Sequence, residues 1–125
     1  LDLDHFKAIN DTRGHHTGDE VLKQAAQLLK RHTRSTDLAG RWGGEEFLVI
    51  CPSTSLEGAL RLAELLRSEF PKITPEGLDP LTASFGIAAI LPGETGDQLL
   101  NRADLALYQA KEGGRNRVVA ASQGA

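Results

Sequence analysis

The chain has 125 residues and a formal net charge of −3, enough sequence for one domain with one real core. Hydrophobic residues make up 40% and charged residues 25%, which excludes a disordered tail, and the acidic balance argues against gripping DNA by bulk charge. No apolar run approaches the roughly 20 residues that span a bilayer, and we expect no signal peptide. We therefore expect a cytoplasmic domain with no membrane contact of its own, whatever anchor a parent protein carries. The single cysteine, Cys51, reads as a small apolar strand residue in a reducing compartment. There is no methionine and the chain opens on Leu1, so we expect a piece of a longer protein.

Strand-like and helix-like stretches alternate. Leu1-Asp2-Leu3-Asp4 reads as the end of a strand. Asn10 to Thr17 is rich in turn formers. From Gly18 to about His32 the spacing of Val21, Leu22, Ala25, Leu28, Leu29 and His32 predicts a helix, with Asp19 and Glu20 in its first turn. Leu38 to Pro52 reads as two strands joined at Gly43-Gly44, where a tight turn needs positive φ. The apolar run Phe47–Cys51 reads as a central buried strand. Thr54-x-x-Glu57 predicts a capping box ahead of a helix with Leu56, Leu60, Ala63, Leu66 and Phe70 on one side. Pro71 to Pro80 is a proline-rich surface loop, and Thr82 to Ile90 a strand. Thr95-x-x-Gln98 predicts a second capping box before a helix from Leu99 to Lys111, its inner face carrying Leu99, Ala103, Ala106 and Ala110. Gly113-Gly114 ends it, and Val118-Val119-Ala120 is a last short strand. The order β-α-β-β-α-β-α-β implies an α/β or α+β fold with a ferredoxin-like core.

Acidic and glycine-rich elements cluster in two places far apart in sequence. Asp2 and Asp4 are two residues apart on a strand and share a face. Gly43-Gly44-Glu45-Glu46 sits at a hairpin tip. Taken singly, these are a solvated strand end and a plain turn. If the strand lies beside the hairpin, Asp2 meets Glu45, and a few gathered oxygens suit Mg²⁺, which takes one or two carboxylates plus substrate phosphates. Lys7, Lys111 and Arg115 could clamp a nucleoside triphosphate, although Lys and Arg are more often solvated surface charges. Asn10 is a turn former and Asp19 a helix-capping type. Yet a fixed carboxylate accepts both N–H donors on one edge of guanine, an adjacent amide can read the rest, and adenine lacks that donor pair.

These residues resemble the GGDEF domain, the diguanylate cyclase family, in its GGEEF form. Gly43-Gly44-Glu45-Glu46-Phe47 stands as the signature. Asp2-Leu3-Asp4-His5-Phe6-Lys7, Asn10-Asp11, Gly14-His15 and Gly18-Asp19 stand in the family's order and spacing. So do Ala103-Asp104, Ala106-Leu107-Tyr108, Ala110-Lys111 and Gly114-Arg115-Asn116. The resemblance covers essentially the whole chain. It implies a mostly antiparallel central sheet flanked by helices, like nucleotide cyclases and polymerase palms. It also implies a reaction in which two GTP condense to cyclic di-GMP with loss of two pyrophosphates. By position, Asp2, the Leu3 carbonyl and Glu45 would hold Mg²⁺, with Mn²⁺ as a second candidate and Glu46 a further ligand. Asn10 and Asp19 would read guanine, Lys7, Lys111 and Arg115 would hold phosphates, and Gly43 and Gly44 would let the backbone approach the nucleotide. Glu45 is the favoured carboxylate to take the 3′ proton. One domain holds one GTP, so the resemblance implies a two-fold homodimer, driven by an upstream sensor or receiver domain.

Arg34-Ser35-Thr36-Asp37 stands where the family carries its RxxD product-inhibition site, with a surface ion pair as the plainer reading. Where the family often adds an arginine from the next helix this chain has Leu65, with Arg61 and Arg67 as candidates to replace it. The family's N-terminal helix and the start of its first strand are expected to precede residue 1. His15 reads as a loop-stabilising residue, Trp42 as packing the hairpin and Tyr108 as anchoring the last helix, while His16 and His32 lack zinc spacing. Two other readings stand beside the cyclase: a degenerate module that binds GTP or cyclic di-GMP, and a related cyclase with a mixed product.

Overall fold

The structure, a computed structural model, describes residues 1–122. Its elements are β1 (Asp2–Leu3), α1 (Phe6–Arg13), α2 (His15–His32), β2 (Leu38–Gly43), β3 (Glu46–Ile50), α3 (Leu56–Glu69), β4 (Ala83–Ile87), α4 (Gly96–Glu112) and β5 (Val118–Ala120), with a 3₁₀ turn at Phe70–Ile73. The strands form one sheet in the order β2-β3-β1-β4-β5. The first four pair antiparallel, and their order is that of a ferredoxin-like core. β5 adds parallel to β4, through the helical crossover that a parallel neighbour requires.

Strand alternation gives the sheet two distinct faces. Leu3, Phe47, Ala83 and Phe85 point into the main core with Val21, Ala25, Leu28 and Leu29 of α2 and Ala63 and Leu66 of α3. Phe70 meets Phe85 edge to face, with centroids 6.2 Å apart. The opposite face carries Ser84 and Gly86, and α4 lies directly on it. A Cβ at Gly86 would collide with the Ala103 carbonyl and the Leu107 amide, and come within 2.8 Å of the Leu107 Cα. Gly86 is therefore needed for close helix–sheet approach, not for turn geometry.

Several local expectations are corrected. Residues 10 to 17 are helical apart from Gly14, which at φ 88° ends α1 and donates its N–H to the Asn10 carbonyl. Burial of Phe6 outweighs the turn preference of Asn10 and Asp11. Because α2 starts at His15, Asp19 and Glu20 lie beyond its first turn, and His15 is a helical residue rather than a loop one. Neither Gly43 nor Gly44 has positive φ; the hairpin turns through a register shift between Arg41 and Gly43, with Arg41 Nε donating to the Gly44 carbonyl at 2.8 Å. The cap of α3 is Ser55, whose side chain accepts from Gly58 N, one residue after the expected Thr54. The Thr95–Gln98 capping box is present in both directions. β3 is one strand in from the edge, so Phe47 is buried while Ile50 is 48% exposed. Trp42 and Tyr108 are 57% and 60% exposed, so neither packs as expected. β4 is shorter than the expected strand at both ends.

Candidate active site

The second face of the sheet gathers the acidic residues. Asp2 pairs with Glu46 on one side and Ser84 on the other. The flanking bonds, Leu3 N to Glu45 O at 3.2 Å and Phe47 N to Leu1 O at 2.9 Å, make Asp2 and Glu46 a non-hydrogen-bonded pair, the arrangement that brings opposite side chains closest. Lys111 reaches down from α4, its Nζ donating to Asp2 Oδ2 at 2.5 Å. The other oxygen, Asp2 Oδ1, is buried and has no partner among the described residues.

Glu46 belongs to the same cluster. Burial pushes its carboxyl above the ordinary range, and the nearby Asp104 and Asp2 carboxylates push the same way, against the opposing charges of the Leu1 amino group and Lys111. Asp104, a residue with no role expected from the sequence, lies seven residues before Lys111 on α4. That spacing puts both on one helix face, a signal the sequence did contain. Glu45 lies in the turn before β3 and enters the ladder through its carbonyl, which accepts from Leu3 N. The Leu3 side chain is core, so only its backbone is available to a ligand.

Asp4, in the turn just past the end of β1, sits in a different environment from Asp2. Its carboxylate accepts from Thr82 Oγ1 at 2.7 Å, Ser84 Oγ at 2.6 Å and the Asn116 N–H at 3.0 Å. With every contact inside the fold, Asp4 pins the loop after α4, where Arg115 and Asn116 both have positive φ, to the start of β4.

The remaining candidates lie on different elements. Lys7 and Asn10 lie on α1, Asp19 on α2, and Arg115 just after α4. The side chains of Lys7, Asp19 and Arg115 are exposed. Beside Gly43 and Gly44 a Cβ would meet nothing within 4 Å, so the hairpin tip borders open space.

The Arg34–Asp37 motif forms a separate turn after α2. Arg34 N donates to Asp37 Oδ2 at 2.8 Å, and this bond, ahead of the Arg34 side chain, holds the Asp37 carboxyl below its ordinary range. The guanidinium also reaches Thr54 Oγ1 at 2.5 Å and the Pro52 carbonyl at 3.3 Å. A groove of about 430 Å³ runs beside it, lined by residues including Lys30, Thr33 and Gly40. Leu65 is exposed, and Arg67 is engaged by Glu64 and Asn116.

Among the described residues no three His, Cys, Asp or Glu side chains gather closely enough to hold a metal alone, and no helix is long and apolar enough to cross a membrane. The donors at Asp2 nevertheless suit a hard divalent cation. They are oxygens, one is buried and unpaired, and Mg²⁺ completes its shell with water and phosphate rather than with a protein cage.

A sheet of this order with acids at its β1–β3 junction is the architecture of a GGDEF domain. The family profile for diguanylate cyclase, GGDEF domain, matches residues 1–117, and the chain belongs to that family. It is 49% identical over 121 residues to diguanylate cyclase DgcM of Escherichia coli, covering 97% of this chain and 30% of that protein. The chain thus spans under a third of the length of that curated relative. Among solved structures, the active GGEEF domain of a diguanylate cyclase from Vibrio cholerae superimposes with a TM-score of 0.91 at 36% identity, covering 98% of this chain and 80% of that one. The GGDEF domain of DgcB from Caulobacter crescentus, solved with c-di-GMP, gives 0.90 at 40% identity, covering 95% and 73%.

Proposed function

We propose that this domain is the catalytic unit of a diguanylate cyclase, condensing two GTP into cyclic di-GMP with release of two pyrophosphates. The observation that carries the reading is the unpaired, buried Asp2 Oδ1 beside Lys111 and Glu46, in a chain 49% identical to a named diguanylate cyclase. Asp2, Glu45, the Leu3 carbonyl and Glu46 would hold Mg²⁺ or Mn²⁺. When bound, such an ion neutralises triphosphate charge and makes a hydroxyl a better nucleophile.

The chain's own residues supply the rest. Lys111 offers a compact positive charge that can move from Asp2 to a phosphate oxygen, and Lys7 and Arg115 hold the outer phosphates. Asp19 accepts the guanine N–H pair and Asn10 reads the adjoining edge. Gly43 and Gly44 leave the hairpin tip clear of side chains. The 3′-oxygen of one GTP attacks the α-phosphorus of the other and displaces pyrophosphate. Its proton passes to a carboxylate, with Glu45 the first candidate and Glu46 the second. Because one domain holds one GTP, two domains must face each other about a two-fold axis, brought together in the parent protein by an upstream sensor or receiver domain. Arg34 and Asp37 would take cyclic di-GMP as a feedback inhibitor.

Incubation with GTP and Mg²⁺, with products resolved by mass, tests this. Cyclic di-GMP is expected, with specific activity falling on dilution as the dimer dissociates. GTP left unconverted at all protein concentrations would contradict it.

A further inference from the structure

Gly18 and Asn10 meet where α1 folds back on α2. A Cβ built at Gly18 would land on the amide oxygen of Asn10, 2.8 Å from its Cγ and 3.3 Å from Phe6 Cζ. Gly18 is buried inside α2 and has no positive φ, so the backbone there does not call for glycine, which weakens a helix interior. What glycine provides is space. The Asn10 side-chain amide fills that space and makes no hydrogen bond to a described residue, while its backbone carbonyl accepts from Gly14 N at 2.9 Å. Packing against Gly18 and Phe6 therefore sets the amide's orientation.

We infer that Gly18 is a positioning residue for purine recognition, its missing side chain holding the Asn10 amide toward the base. The inference rests on the reading of Asn10 as a guanine contact. The test is GTP affinity in Mg²⁺ for the wild-type chain, Asn10→Ala, Gly18→Ala and the double variant, with inorganic tripolyphosphate as a probe that lacks a base.

Asn10→Ala and Gly18→Ala should each weaken GTP by about three- to ten-fold, the size of one neutral hydrogen bond. The double variant should be no weaker than Asn10→Ala alone, because both act through one amide. Tripolyphosphate affinity should be unchanged throughout. Wild-type GTP affinity in Gly18→Ala, equal losses for GTP and tripolyphosphate, or a Gly18→Ala penalty that persists in full on Asn10→Ala would overturn the inference. Wild-type affinity in Asn10→Ala would instead remove the guanine reading itself. Asn10→Gln, which shifts the amide by one methylene and leaves α2 intact, tests the same point should Gly18→Ala fold poorly. It should lose GTP affinity while sparing tripolyphosphate, and wild-type GTP affinity there overturns the inference too.

Discussion

Asp2 and Glu46 face each other across the β1–β3 ladder on the side of the sheet that α4 covers. Burial first, and then the Asp104 and Asp2 carboxylates, hold the Glu46 carboxyl above its ordinary range. A fold keeps such a pair only against some compensating gain.

Removing the charge at Glu46 should therefore stabilise the domain while disabling it. Glu46→Gln should melt a few degrees higher in metal-free buffer, the effect of roughly 1 kcal/mol in a domain of this size. It should also lose most cyclic di-GMP synthesis. Thermal melts with and without Mg²⁺, beside a product assay, check both halves. A lower melting temperature would mean that Glu46 serves the fold.

Gly86 sets how closely α4 approaches the sheet, and α4 carries Lys111. Gly86→Ala forces the new Cβ against the backbone of Ala103 and Leu107 and should cost about 3 kcal/mol. Denaturant unfolding should show this as a lower midpoint with little change in slope.

Glu94 clasps Arg102 through two oxygens, at 2.5 and 2.8 Å. The Arg102 guanidinium, foremost among its partners, holds the Glu94 carboxyl below its ordinary value of 4.5. A depressed folded-state value means that the unfolded chain takes up the proton first. The stabilisation is therefore complete above 4.5 and is lost as pH falls through the lower folded value. Glu94→Gln should flatten the decline of melting temperature in that acid range and lower stability at neutral pH.

Arg34→Ala should abolish feedback by cyclic di-GMP while leaving turnover in place, because the turn lies outside the Asp2 cluster. The turn itself should persist, because the Arg34 N–H bond to Asp37 Oδ2 does not depend on the Arg34 side chain. Calorimetry should show micromolar-range binding of cyclic di-GMP to the wild type and none to the variant.

How much of this was legible in the sequence depends on the range of the interaction. The helices α2, α3 and α4 show through their apolar spacing, and the Thr95–Gln98 cap shows because its partners are three residues apart. α1 was hidden because Asn10, Asp11 and Thr12 favour turns locally, and only packing of Phe6 and Ile9 reveals a helix. Alternation placed Asp2 and Asp4 on one face, but not their different fates. Those are decided by partners 109 and 112 residues away, Lys111 and Asn116. Choosing between Glu45 and Glu46 as the residue opposite Asp2 requires the strand register, and a shift of one residue reverses the answer.

The most direct measurement is a calorimetric titration of GTP into the wild-type chain and Asp2→Asn, each with Mg²⁺ and with EDTA. The account predicts that Mg²⁺ tightens GTP binding to the wild type by about ten-fold or more, equivalent to roughly 1.4 kcal/mol, and that Asp2→Asn loses this gain. Equal affinity in Mg²⁺ and EDTA, or an undiminished Mg²⁺ effect in Asp2→Asn, would contradict it.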